Sequence, residues 1–119
     1  MISSGVDIIE IERITQISPK IRKRFINRVF TIDEQLICND NNASLSGRFA
    51  AKEAVSKVLG TGIGEIHWKD IEILKSEDGK PLLNLYGKAK EKELELGFSE
   101  WSVSISHNKT IAVAFVIAQ

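Results

Sequence analysis

The sequence predicts an α+β fold with an antiparallel sheet, and three observations carry that expectation. Helix-like patterning dominates the first half of the chain and strand-like patterning the second, which favours segregated elements over a doubly wound sheet. Residues 44–59 form one helix-like stretch apolar enough to be central. No repeat, linker or low-complexity tract interrupts the chain, so a single domain spanning residues 1–119 is expected.

Ile2 to Asp7 has the pattern of a short opening strand. Two short helices follow, divided at Ser18-Pro19, where Ser caps and Pro suits the first helical position. Thr31-Ile-Asp-Glu34 has the form of a capping box and predicts another short helix, followed by a polar loop from Asn39 to Asn42. The central helix is expected from Ser44 to Leu59, with apolar residues at 45, 49, 50, 54, 55, 58 and 59 and Gly60 ending it. Ile71, Ile73 and Leu74 begin a hairpin that turns at Glu77 to Pro81 and returns through Leu82 to Leu85. Lys88 to Leu96 predicts a short helix stopped by Gly97. Trp101 to Ser106 alternates strictly, so Trp101, Val103 and Ile105 should face the core. Ile111 to Ala118 is apolar throughout and reads as a central strand, paired with its predecessor through His107 to Thr110. Such a run implies burial on both faces, here with a partner subunit as the second cover.

Composition narrows the function. Of the 119 residues, 43% are apolar, enough for one core without staples. Sixteen Lys and Arg balance sixteen Asp and Glu, which argues against a strongly basic nucleic-acid domain. Cys38 is the only cysteine, so no internal disulfide or cysteine-rich zinc site is available. The longest apolar run falls far short of the roughly 20 residues of a membrane span. Carboxylates between Met1 and Glu12 break any signal-peptide pattern. A cytoplasmic protein with neither membrane nor nucleic-acid partner is expected.

Several residues are candidates for chemistry. Asp7, followed three residues later by Glu10, has helix-capping spacing, which is its stronger local reading; the other is a hard-oxygen ligand for a divalent cation. Glu53 and Lys57 lie one helical turn apart, either a surface ion pair or a charged pair held on a central helix for a purpose. Gly60, Gly62 and Gly64 follow directly, and their backbone could end the helix or approach a phosphate. His107 starts a turn and His67 is isolated, so neither supports a zinc site. Arg22, Lys23, Arg24 and Arg28, interleaved with Phe25 and Ile26, form either a solvated face or a docking surface for an acidic protein.

Three stretches taken together are specific: Gly5-Val-Asp-Ile-Ile-Glu-Ile-Glu-Arg-Ile14, Gly47-Arg-Phe-Ala-Ala-Lys-Glu-Ala-Val-Ser-Lys-Val-Leu-Gly-Thr-Gly-Ile-Gly64 and Ser102-Val-Ser-Ile-Ser-His107. In this order they resemble the bacterial holo-acyl carrier protein synthases, the small class of 4′-phosphopantetheinyl transferases. The resemblance spans essentially the whole chain, including Gly79-Lys-Pro81. It implies a 4′-phosphopantetheinyl transferase-like fold with one long central helix and short N-terminal helices. It also implies transfer of phosphopantetheine from coenzyme A to a serine of apo-acyl carrier protein, in support of fatty acid biosynthesis. Asp7 and Glu53 would then bind Mg²⁺. Lys57, Arg48 and the Gly60, Gly62 and Gly64 loop would handle phosphates, with His107, Lys80 and Pro81 near the nucleotide. Arg13, Arg24 and Arg28 match the face that docks the carrier protein. A homotrimer with active sites between subunits is implied as well. Ser3 and Asn108 depart from the family pattern, as does a shortened Asn39 to Leu45 loop.

Such chemistry suits these residue types. Attack of a hydroxyl on a pyrophosphate demands charge neutralisation more than covalent help. Two carboxylates anchor Mg²⁺ without filling its shell, and Lys57 adds a point charge alongside. Glu53 is the expected base for the serine proton, with His107 as the other choice. A non-catalytic module docking through Arg22 to Arg28, or another Mg²⁺-dependent phosphotransfer enzyme, are the competing functions.

Overall fold

The computed structural model describes residues 1–119 and is organised around helix α4 (Asn42–Leu59). The Asn41 side chain accepts from the Ser44 N–H at 2.9 Å, so α4 begins at Asn42, inside the expected loop. Ala50, Ala51, Ala54, Val55 and Val58 are buried against an antiparallel sheet of order β1-β5-β4. Its strands are β1 (Ser3–Glu10), β4 (Trp101–His107) and β5 (Ile111–Ala118). Strand β5 is central, as its apolar sequence predicts. Small side chains let helix and sheet approach closely. A Cβ on Gly5 would collide with the Ala54 carbonyl oxygen, so only glycine fits where β1 passes under α4.

Around this axis sit α1 (Glu12–Thr15), α2 (Pro19–Val29) and α3 (Ile32–Cys38). Ser18 caps α2 with Pro19 in its first turn, and the Thr31/Glu34 capping box opens α3, both as the sequence predicts. Strands β2 (Ile71–Lys75) and β3 (Pro81–Leu85) pair as a separate two-stranded sheet, and α5 (Gly87–Leu96) follows. Glu93 on α5 accepts from the Trp101 indole at 2.6 Å, tying α5 to β4. Trp101, Val103 and Ile105 pack against the core as expected.

One expectation changes. Strand β1 continues past Asp7, because its ladder with β5 runs on to the Glu10–Ile111 pair. Asp7 therefore lies mid-strand opposite Ala114, and α1 starts after Ile11 without a side-chain cap; Asp7 is no helix cap. Within the chain, β5 is buried on one face only. Ala112, Ala114, Val116 and Ala118 face α4, while Ile111, Val113, Phe115 and Ile117 face outward, Phe115 being 44% exposed. The ladder aligns exposed Val6 with Phe115 and exposed Ile8 with Val113, giving an open apolar sheet face.

One buried ion pair joins the helices to the second sheet. Lys52 and Glu34 are both 0% exposed, with Nζ 2.8 Å from Oε1. The ammonium also donates to the carbonyls of Trp68 at 3.1 Å and Ile71 at 2.5 Å. Glu34 accepts from the Thr31 N–H at 2.9 Å and from the Ile73 N–H at 2.8 Å. Burial pushes the Lys52 ammonium down, and Glu34 pulls it back up. Lys52→Met leaves the Glu34 charge buried and unpaired, and is expected to cost about 3–5 kcal/mol. Adding Glu34→Gln, which removes that charge, should recover part of the loss in urea denaturation.

Candidate active site

The crossing of β1 and α4 builds the site. Asp7 lies two residues beyond Gly5 on the same, helix-facing side of β1. Glu53 and Lys57 occupy successive turns of α4. Lys57 Nζ donates to the Val6 carbonyl at 2.8 Å and to Asp7 Oδ1 at 3.2 Å. Burial first, and then the Asp7 carboxylate, push the Glu53 carboxyl above the usual carboxylate range, with Lys57 opposing them. All three residues thus converge as the sequence predicts. Because Lys57 is half-exposed, its pair with Asp7 adds little stability, and the ammonium can swing to another anion without unfolding anything.

This donor set fits Mg²⁺. Two hard carboxylates face each other closely enough for one to raise the other's pKa, and a cation relieves that repulsion. No group of three or more His, Cys, Asp or Glu side chains is assembled anywhere, so a closed zinc-type cage is absent.

The other predicted residues are placed differently. Gly60, Gly62 and Gly64 adopt left-handed φ values of 76°, 67° and 127°, which explains the residue choice. Their N–H groups, however, donate to the carbonyls of Lys57, Ser56 and Ile66. The loop ends α4 and turns the chain. Arg48 is buried, and its Nε donates to the Ile73 carbonyl at 2.9 Å, bracing α4 against β2. Lys80 and Pro81 lie at the turn and start of β3, and His107 ends β4; none makes a hydrogen bond or ion pair with Asp7, Glu53 or Lys57. Asn108 accepts from the N–H groups of Thr110 at 2.8 Å and Ile111 at 2.9 Å, so this departure from the family pattern shapes the β4–β5 turn.

Arg13, Arg24 and Arg28 are exposed and free of ion pairs. Between α1, α2 and α4 lies a groove of about 200 Å³ that the sequence did not reveal. Arg13 rims it, and Ile9, Ile14, Ile21, Phe25 and Phe49 line it. Phe49 stacks on Trp68 with ring centroids 4.8 Å apart. Two lining residues are near the carboxylates along the chain: Ile9 follows Asp7 on the same face of β1, and Phe49 precedes Glu53 by one turn of α4. The exposed Ile21 beside half-buried Phe25, one turn apart on a basic helix, was the signal available.

Comparisons with known proteins show the family and the fold. The family model described as 4′-phosphopantetheinyl transferase superfamily matches residues 3–116. The holo-[acyl-carrier-protein] synthase of Natranaerobius thermophilus is 50% identical, covering 98% of this chain and 96% of its own. The crystal structure of the Helicobacter pylori holo-[acyl-carrier-protein] synthase, a complex with coenzyme A, superposes with a TM-score of 0.87 at 38% identity over all of both chains. That from Neisseria meningitidis gives 0.89 at 34% identity, covering 100% of this chain and 99% of its own. No helix is long and apolar enough to cross a membrane.

Removing the Asp7 charge tests the electrostatic coupling. Asp7→Ala should fold, and the Glu53 carboxyl should titrate lower than in the parent protein, though burial still holds it up. Carbon-detected NMR titration of Glu53 measures the difference; an unfolded variant would restore Asp7 to a purely structural role.

Proposed function

Since the chain belongs to the 4′-phosphopantetheinyl transferase superfamily, among its holo-acyl carrier protein synthases, we propose that it moves the 4′-phosphopantetheine arm of coenzyme A onto a serine of apo-acyl carrier protein. Adenosine 3′,5′-bisphosphate is the other product, and the holo-carrier serves fatty acid biosynthesis in the cytoplasm. One observation carries the reading: Asp7 on β1 meets Lys57 on α4 and is electrostatically coupled to Glu53, one turn before Lys57 on the same helix.

In this reading the serine oxygen attacks the β-phosphorus of coenzyme A, a new phosphoester bond forms, and the P–O bond to adenosine 3′,5′-bisphosphate breaks. Asp7 and Glu53 hold Mg²⁺, which when bound neutralises charge on the pyrophosphate. Lys57 turns from Asp7 to the phosphate oxygens, a move its exposure allows. Glu53 accepts the serine proton, directly or through a water beside the metal. Arg13, Arg24 and Arg28 orient the carrier while the groove receives its apolar side chains.

A homotrimer completes the site. The open apolar face of Val6, Ile8, Val113 and Phe115 supports burial against another copy. His107, Lys80 and Pro81 make no hydrogen bond or ion pair with the carboxylates of their own chain, and in this reading they lie on the nucleotide side of a cleft between subunits.

The direct test mixes the protein with coenzyme A, Mg²⁺ and apo-acyl carrier protein, and weighs the carrier intact. The carrier should gain one phosphopantetheine; an unchanged mass overturns the assignment. Asp7→Ala and Glu53→Ala should each lower the rate by at least about a hundredfold while remaining folded. Arg24→Glu with Arg28→Glu should raise the carrier KM and flatten its salt dependence, leaving the coenzyme A KM unchanged. Phe115→Glu should dissociate the assembly and abolish activity together, as sedimentation and the same mass assay would report. Ala114→Glu is no benign control, since Ala114 faces α4.

A further inference from the structure

Arg22 belongs by sequence to the basic run of α2, yet its surroundings set it apart from Arg24 and Arg28. Its side chain is only 19% exposed. One guanidinium nitrogen donates to Asp40 Oδ1 at 2.5 Å, and another donates to the Asp40 carbonyl at 3.2 Å and to Asn42 Oδ1 at 2.5 Å. The Asn42 amide in turn donates to Thr15 Oγ1 at 3.2 Å. One fork thereby links α2, the end of α1 and the first residue of α4. It also spans a turn in which two consecutive non-glycine residues, Asn39 at φ 47° and Asp40 at φ 62°, are left-handed. That conformation is disfavoured for L-residues and persists where surrounding contacts enforce it.

We propose that Arg22 is a positioning residue: it locks the Asn39–Asp40 turn and so sets where Arg24 and Arg28 stand relative to Glu53 and Lys57 on α4. Its charge is already answered by Asp40, so it is not one of the docking cations. A lysine at this position carries the same charge but cannot reach three acceptors as a planar fork does. The inference rests on the carrier-docking reading of α2, because positioning is read out through the carrier.

The experiment compares Arg22→Lys, Asp40→Asn and Arg24→Glu in steady-state transfer, with carrier and coenzyme A varied separately across a salt series. Asparagine tolerates the left-handed region, so Asp40→Asn removes the anion while sparing the turn's backbone preference. If Arg22 positions α2, both Arg22→Lys and Asp40→Asn raise the carrier KM, by about tenfold, the loss of one charge-assisted hydrogen bond. The coenzyme A KM and the salt slope stay as in the parent. A docking cation predicts the opposite sign: Arg22→Lys is silent, and Asp40→Asn lowers the carrier KM by unmasking a positive charge. Either of those results overturns the inference, as does an equal rise in both KM values, which marks a general loss of structure. Arg24→Glu separates the two levels. If it leaves the carrier KM unchanged, the docking reading itself has failed and the inference falls with it. If it raises that KM while the Arg22 and Asp40 variants do not, only the inference falls.

Discussion

Lys52 and Glu34, an ammonium and a carboxylate sealed together without contact to water, set the rotation of α4 on which the site depends. A helix turns by about 100° per residue, so fixing the direction of one side chain fixes its neighbours. With Lys52 committed to α3 and to the carbonyls beside β2, Glu53 is carried round toward β1 and Asp7. Burying such charges is unfavourable unless every donor and acceptor is answered, and here both groups have several protein partners. The pair therefore acts as a registration device: a rotated α4 would strand two charges in the core.

The opposite side of α4 is governed by contact distance. Gly5, Ala54, Ala112 and Ala114 keep helix and sheet close, which brings a strand carboxylate and a helix carboxylate to the same point. Polar registration on one face and small-residue packing on the other leave α4 little freedom. Chemistry that relies on charge placement benefits from such rigidity, because preorganised groups need not reorient as charge develops.

Much of this was legible in the chain because local patterns and tertiary needs coincide. The Thr31/Glu34 capping box, the Ser18-Pro19 helix start and the alternation in Trp101 to Ser106 are all realised. Asp7 was misread locally because strand end and helix cap look alike in Asp-Ile-Ile-Glu; only pairing with β5 decides, and that partner lies more than a hundred residues away. Glu34 showed its local capping role and hid its partnership with Lys52 for the same reason. The three glycines announced a turn but not where their amides would be satisfied. Arg22 looks like its basic neighbours in sequence, and only the Asp40 carboxylate and carbonyl that fold against it set it apart. In β5, hydrophobicity marked centrality correctly, while the sorting of small residues inward and large ones outward becomes visible only with the register.

The stack of Phe49 on Trp68 has a spectroscopic consequence. The protein holds two indoles, and they are sited in different neighbourhoods. Trp101 is tethered to Glu93 on the far flank of the sheet, whereas Trp68 lies against a ring that forms the groove wall. Light emitted by Trp68 thus depends on what touches Phe49 from the other side. The molecule carries its own intrinsic fluorophore behind a wall of the apolar groove, with the second indole as an internal reference.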